Sequence, residues 1–265
     1  ETGKITNAAV YGANLIAVNG TYDQLNRLCS EIADETDWAF CNINVRPYYA
    51  EGSKTLAYET VEQLGWQAPD HVVVPIASGA LYTKIAQGFQ EMVDVGLLLE
   101  QSVRISGAQP DGCCPVATAF AKDESFFEPV RQPDTIAKSL AIGNPADGNY
   151  ALEVARRTNG VIQSVSNSEI VEGIQLLATT EGIFTEAAGG VTIATLKKLA
   201  EAGIIGENEV TVAYVTGNGL KTQEAVDGHV SVTATINPTI GSFEDALEDE
   251  IQADLAISGS QRSIG

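Results

Sequence analysis

Asp70-His-Val-Val-Val-Pro-Ile-Ala-Ser-Gly-Ala-Leu-Tyr-Thr-Lys-Ile85 is the stretch whose reading decides the fold of this chain. His71 to Ile76 is a short apolar run with three consecutive valines, ended by Pro75 and a cluster of small residues. Such a run reads as a strand buried in a parallel sheet. From Thr83 to Val93 the apolar residues Ile85, Ala86, Phe89, Met92 and Val93 recur at helical spacing. Between the two lies Ala77-Ser78-Gly79-Ala80-Leu81. A strand that feeds a helix through a tight small-residue turn points several backbone N–H groups at one spot. The helix N-terminus adds a partial positive charge of about half a unit. The turn is therefore an anion cradle suited to a phosphate, with an ordinary strand-to-helix loop as the alternative.

The flanking segments alternate between strand and helix patterns. On the N-terminal side, Asn14 to Val18 reads as a short strand, and Thr21 or Asp23 can cap a helix that runs to about Ala33. Trp38 to Ile43 reads as a second strand, which gives a β-α-β unit. Residues 44–52 read as a loop, and a helix from Ser53 to Leu64 stops at Gly65. On the C-terminal side, Val103 to Ser106 is a strand. Gly107 to Asn149 is irregular, with one helical piece near Val116 to Ala121. Long irregular segments inside a domain are often functional. A helix over Ala151 to Thr158 and a strand over Gly160 to Val165 follow. Ser166-Asn-Ser-Glu169 is a capping box that starts a helix to Thr180. Glu186-Ala-Ala-Gly-Gly190 opens another helix, which Gly203 ends. Glu209 to Val215 is a strand leading into Thr216-Gly-Asn-Gly-Leu-Lys-Thr222. The tail holds a strand-like run from Val230 to Ile236 and an acidic amphipathic helix from Ser242 to Leu255, before a loose end. This order specifies an α/β fold with a mainly parallel sheet and flanking helices. Ligands of such sheets bind beyond the carboxyl ends of the strands, where the loops Ala77 to Leu81 and Thr216 to Lys221 lie.

Composition narrows the chemistry. The 265 residues are 44% hydrophobic, enough for a sizeable core. Fifteen basic residues against 35 acidic ones give a net charge of −20, which argues against nucleic acid and anionic membranes as partners. The acidity keeps the protein soluble, and a saline habitat would also fit it. No apolar run approaches the roughly 18 residues of a membrane span. Cys29, Cys41, Cys113 and Cys114 lack metal-ligand spacing, so no metal is expected and free thiols in a reducing cytoplasm are the expectation. With only His71 and His229, a Ser-His-Asp hydrolase is disfavoured. The only methionine is Met92, so the chain reads as a fragment or a processed product.

Several motifs resemble the threonine synthase family. They are Asn44-Val-Arg-Pro-Tyr-Tyr-Ala-Glu-Gly-Ser-Lys-Thr55, Val74-Pro-Ile-Ala-Ser-Gly-Ala-Leu-Tyr-Thr-Lys-Ile85 and Gly107-Ala-Gln-Pro-Asp-Gly112. To these are added Thr135-Ile-Ala-Lys-Ser-Leu-Ala-Ile-Gly-Asn-Pro-Ala-Asp147, Glu181-Gly-Ile-Phe-Thr-Glu-Ala-Ala-Gly-Gly190 and Thr216-Gly-Asn-Gly-Leu-Lys221. The resemblance runs in order from about Gly3 to Val226 and implies a pyridoxal phosphate enzyme of fold type II. Members turn O-phosphohomoserine and water into threonine and phosphate. Carried onto this chain, the resemblance makes Ala77, Ser78, Gly79, Ala80 and Leu81 the cradle for the cofactor phosphate. Thr216 becomes the hydroxyl that meets the pyridine nitrogen, which a hydroxyl partner leaves largely unprotonated. Lys138 and Asn144 are candidates for the substrate phosphate, and Glu186 lies near the substrate or serves only the helix dipole. The family's Schiff-base lysine sits in a Ser-Phe-Lys-Asp-type motif, expected upstream of Glu1, so this chain alone is expected to be inactive. The implied layout is 1–45 as the remainder of a small domain, 46–226 as the large cofactor-binding domain and 227–265 as an acidic extension. A cytoplasmic homodimer is implied as well. The related alternatives are threonine dehydratase, cysteate synthase or a non-catalytic binding module on the same scaffold.

Overall fold

The computed structural model of the chain describes residues 1–42, 47–99 and 103–248. It contains two compact units, Glu1–Ala225 and a second one from Val226 onward.

The first unit is built on four strands: β1 (His71–Pro75), β2 (Arg104–Pro110), β3 (Ile162–Val165) and β4 (Thr211–Ala213). They form one sheet in the order β3-β2-β1-β4. Every pairing is parallel, with Val72 opposite Ile105 and Val212, and Gly107 opposite Ile162. All five residues of β1 are buried, as expected of a central parallel strand covered on both faces. Parallel neighbours require crossover connections, and helices supply them. The crossovers are α4 (Ala80–Asp94) between β1 and β2, α5 (Pro115–Ala121) and α6 (Gly148–Arg157) between β2 and β3, and α7 (Asn167–Glu181) and α8 (Ala187–Glu201) between β3 and β4, while α1 (Thr2–Ala9), α2 (Tyr22–Glu35) and α3 (Thr55–Gln63) precede β1. The core gathers Val72, Val74, Ile85, Phe89, Ile105, Val116, Leu152 and Ile162 from the strands and from α4, α5 and α6. Helices α7 and α8 approach until Gly173 lies against the backbone of Gly190, where a Cβ would be 2.5 Å from the carbonyl oxygen.

Helix ends follow local chemistry. Thr21 caps α2 and Ser166 caps α7, each through a complete capping box. Gly65, Gly182 and Gly203 end helices in the left-handed conformation. Ser166 Oγ accepts from the Glu169 amide at 3.3 Å, and Glu169 Oε2 accepts from the Ser166 amide at 2.7 Å. Ser166→Ala is expected to cost about 1 kcal/mol, read as a lower urea midpoint with an unchanged slope.

Four sequence expectations are corrected. Residues 14–18 are not a strand: Leu15 and Ile16 are exposed, and no strand lies beside them among the described residues. Residues 38–42 likewise carry no strand, so the expected β-α-β unit does not form; Ile43 lies outside the described residues. Residues 47–54 form a 3-10 helix, Pro47–Lys54, where a loop to Gly52 and an α-helix from Ser53 were expected, and 44–46 lie outside the described residues. In the second unit, 230–236 form no strand beyond a single bridge between Asp227 and Val230. Alternating apolar residues make a strand only when a neighbour takes up their backbone groups. The expected acidic helix is present over 240–248, and 249–265 lie outside the described residues. Elsewhere the differences are in length: α4 begins at Ala80, β2 extends to Pro110 and β4 covers only three residues.

Candidate active site

Strands β1 and β4 run side by side in parallel, with Val73 opposite Ala213. Three residues beyond that pair the chain reaches Ile76 on one strand and Thr216 on the other. Neighbouring strands lie about 4.8 Å apart. The loops 77–81 and 216–221 therefore leave the sheet next to each other at its carboxyl end.

The first loop is shaped by Gly79. It is the N-cap of α4, with φ 93°, and a Cβ there would lie 2.9 Å from the main-chain carbon and oxygen of Asp147. The Asp147 amide donates to the Ser78 carbonyl at 2.8 Å. The first-turn amides of α4 have no acceptor inside the helix and face the turn. The Ala80 amide reaches the buried Ser78 Oγ at 3.4 Å. Thr83 returns both its amide and its hydroxyl to the Gly79 carbonyl, each at 3.0 Å. Burial pushes the Asp147 carboxyl above the usual carboxylate range, and the Lys84 cation opposes that. Asp147 walls this loop, a contact that local sequence did not reveal. Its signal was its place at the end of Asn144-Pro-Ala-Asp147 inside the long irregular segment.

The second loop is held by 184–186. Thr185 bridges Asn218 in antiparallel fashion, and its hydroxyl donates to the Gly217 carbonyl at 3.1 Å. The Gly219 amide donates to the Phe184 carbonyl at 3.0 Å, and the Glu186 amide to the Gly217 carbonyl at 3.0 Å. The buried Glu186 is the N-cap of α8. Its carboxylate packs on Gly217 so closely that a Cβ there would lie 2.3 Å from Cδ. Thr216 Oγ1 donates to Glu186 Oε1 at 3.5 Å, and Lys4 Nζ stands 3.7 Å from Glu186 Oε2. Helix α1 reaches this loop with Gly3 against the carbonyls of Leu220 and Lys221, and its first amide donates to Glu224 Oε1 at 2.8 Å.

The structure thus brings 77–81, Thr216 and Glu186 to one end of the sheet. Asn144 is exposed and lines a cavity of about 440 Å³ together with Asp23, Asn26, Phe127 and Ile142. Lys138 is exposed at the start of the 3-10 turn Lys138–Leu140 and is not among the residues lining that cavity.

A family model described as pyridoxal-phosphate dependent enzyme matches residues 1–217. The chain belongs to that family. Threonine synthase from Methanocaldococcus jannaschii is 39% identical over 223 residues, which are 84% of this chain and 55% of that protein. Threonine synthase from Bacillus sp. is 33% identical over 253 residues, 95% of this chain and 68% of the relative. The chain thus spans between about half and two thirds of these relatives' length. Among solved structures, maize serine racemase superposes with a TM-score of 0.64 at 18% identity, over 96% of this chain and 68% of that one. Diaminopropionate ammonia lyase from Escherichia coli gives 0.67 at 20% identity, over 86% of this chain and 60% of that one. These likenesses show the shared fold.

The residues present fit the cofactor that the pyridoxal-phosphate family uses. A phosphate asks for amides at a helix N-terminus and room that a Cβ would take, and Gly79 provides both. A ring nitrogen asks for one hydroxyl or carboxyl partner, and Thr216 stands at the end of the adjacent strand. The described residues hold no cluster of His, Cys, Asp or Glu able to bind a metal ion. No described helix is long and apolar enough to cross a membrane.

Proposed function

We propose that this chain carries the cofactor-binding part of a threonine synthase, which converts O-phospho-L-homoserine and water to L-threonine and phosphate. The observation that carries the reading is the adjacency of the two loops at the carboxyl end of β1 and β4. The relatives named threonine synthase direct it to this substrate. In this reading the amides of Ala77, Ser78, Gly79, Ala80 and Leu81 hold the cofactor phosphate, with the Ser78 hydroxyl beside them. Thr216 meets the pyridine nitrogen. Lys138, Asn144 and Glu186 serve the substrate, the first two at its phosphate. Bound pyridoxal phosphate supplies the electron sink that makes protons of the substrate acidic enough to remove. The protein's share is to orient the two phosphates within a chain of net charge −20, which backbone dipoles and a few local cations make possible.

The layout in this reading is 1–45 as part of a small domain, 46–226 as the large domain and 227–265 as an extension. The assembly is a cytoplasmic homodimer. The test is phosphate release, with the protein in the form its gene encodes. O-phospho-L-homoserine should release phosphate and yield threonine, while L-serine and L-threonine should give no keto acid. Deamination of those two without phosphate release would move the chain to the dehydratases.

A further inference from the structure

We infer that Glu51 is a positioning residue for the turn 77–81: by holding Lys84 and Lys54 at once, it fixes the helix whose first turn forms the proposed phosphate cradle. This deepens the reading above and rests on it. The proposed function leaves Glu51 and Lys54 without a role. Lys54 is a cation with only 7% of its surface exposed, at the end of the 3-10 helix Pro47–Lys54. Its Nζ pairs with Glu51 Oε2 and, at 2.6 Å, with Glu91 Oε1 on α4. Glu51 Oε1 accepts from Lys84 Nζ at 2.5 Å, and Lys84 Nζ also donates to Gln87 Oε1 at 2.9 Å. The Tyr58 hydroxyl of α3 donates to Glu91 Oε2 at 2.5 Å, and Gln87 Nε2 donates to Glu91 Oε1 at 3.1 Å. Residues 84, 87 and 91 lie on one face of α4, so these bonds run along the helix as a splint. Beneath them the elements are in close contact: a Cβ on Gly88 would lie 2.9 Å from Ala57 Cβ and 3.0 Å from the Lys54 carbonyl oxygen. Isolated surface pairs contribute little, whereas several charges joined in one network hold a geometry. Glu51 anchors the end of the splint nearest the turn. Lys84 follows Thr83, which returns its amide and its hydroxyl to the Gly79 carbonyl, each at 3.0 Å. A shift of α4 at Lys84 therefore reaches Gly79 within one helical turn. Burial pushes the Asp147 carboxyl up and the Lys84 cation opposes it, so the ammonium that Glu51 holds lies within electrostatic reach of the residue that walls the turn. Charge alone gives Glu51 the opposite effect, because it adds to the −20 of the chain and repels an anion. The two roles differ in sign and can be told apart.

The test compares the wild type with Glu51→Gln and with Lys84→Gln, which removes the same bond from the other side. The Glu51 side chain is half-exposed, so an amide fits in its place. In the ligand-free chain, hydrogen exchange at the amides of Thr83 to Ile85 should be about two- to fivefold faster in both variants, with the amides of α8 at their wild-type rates. Wild-type exchange at 83–85 in either variant overturns the inference without touching the proposed function. Lys84→Gln decides this measurement alone if Glu51→Gln does not fold. The second measurement is a fluorescence titration with pyridoxal phosphate. Glu51→Gln should bind it about two- to fivefold more weakly, against the sign of its charge change. Affinity equal to the wild type, or tighter, overturns the inference. Failure of the wild-type chain to bind pyridoxal phosphate overturns the proposed function instead, and the exchange rates still decide whether Glu51 fixes the helix.

Discussion

Gly79→Ala is expected to disrupt the proposed phosphate cradle and to destabilise the chain by about 2–6 kcal/mol. Two costs add. The position has φ 93°, which L side chains rarely adopt, at a cost of about 1–3 kcal/mol. The new methyl would also lie 2.9 Å from the backbone of Asp147, which cannot yield by turning a side chain. Overpacking of this kind costs about 1–3 kcal/mol. Asp147 is tied to Ser78 by its amide, so any backbone relief at 147 moves the cradle with it. Pyridoxal phosphate affinity should therefore drop by at least about tenfold, or roughly 1.4 kcal/mol. Gly182→Ala separates the two causes. That glycine has φ 68° and nothing within 4 Å of its would-be Cβ, so it carries the conformational cost alone. It should lose about 1 kcal/mol of stability and keep wild-type affinity. Urea midpoints and a fluorescence titration with pyridoxal phosphate read both quantities. Wild-type affinity in Gly79→Ala would remove the loop 77–81 from the cofactor site.

The second large effect is on pH dependence, and its source is His71. This residue is fully buried at the start of β1, at the sheet end away from the candidate site. Its Nε2 pairs with Ser106 Oγ at 2.7 Å, and its Nδ1 meets no polar partner. Burial, and then the Arg104 guanidinium, push its pKa from 6.5 down to about 4, against a smaller opposing pull from Glu209. The unfolded chain therefore binds one more proton than the folded chain between those two values. The contribution of the neutral ring is complete above pH 6.5 and is lost as pH falls toward 4. The full loss is at most about 3 kcal/mol, and the steepest slope is about 1.4 kcal/mol per pH unit. Urea midpoints taken at neutral pH and at two values through the mildly acidic range measure it. His71→Leu should flatten the curve above the carboxylate range, whatever its absolute stability. An identical slope in wild type and variant would assign the acid sensitivity to other groups.

Much of this architecture could be read from local sequence, for identifiable reasons. The strand at 71–75 was legible because a strand buried on both faces carries an unbroken apolar run. The helix at 167–181 was legible because Ser166 and Glu169 satisfy each other within four residues. The misread strands at 14–18 and 38–42 had the right side chains, but pairing depends on a neighbour that local sequence cannot supply. The site divides in the same way. The turn 77–81 announces itself through its small residues. The wall at Asp147 and the bond from Thr216 to Glu186 join positions 68 and 30 residues apart, and only the folded chain displays them.

The sheet order carries a kinetic corollary. β1 meets β2 within one crossover, whereas β4 joins β1 from the far end of the first unit. The two loops of the proposed site, at 81 and 216, are about 135 residues apart in the chain. A ribosome adding 5–20 residues per second needs on the order of ten seconds to supply that interval. Throughout that time β1 is an exposed valine-rich edge with its later neighbour not yet made. Vitamin-derived cofactor added during translation could thus be captured only after β4 emerges, and the moment of capture would mark the closing of the sheet.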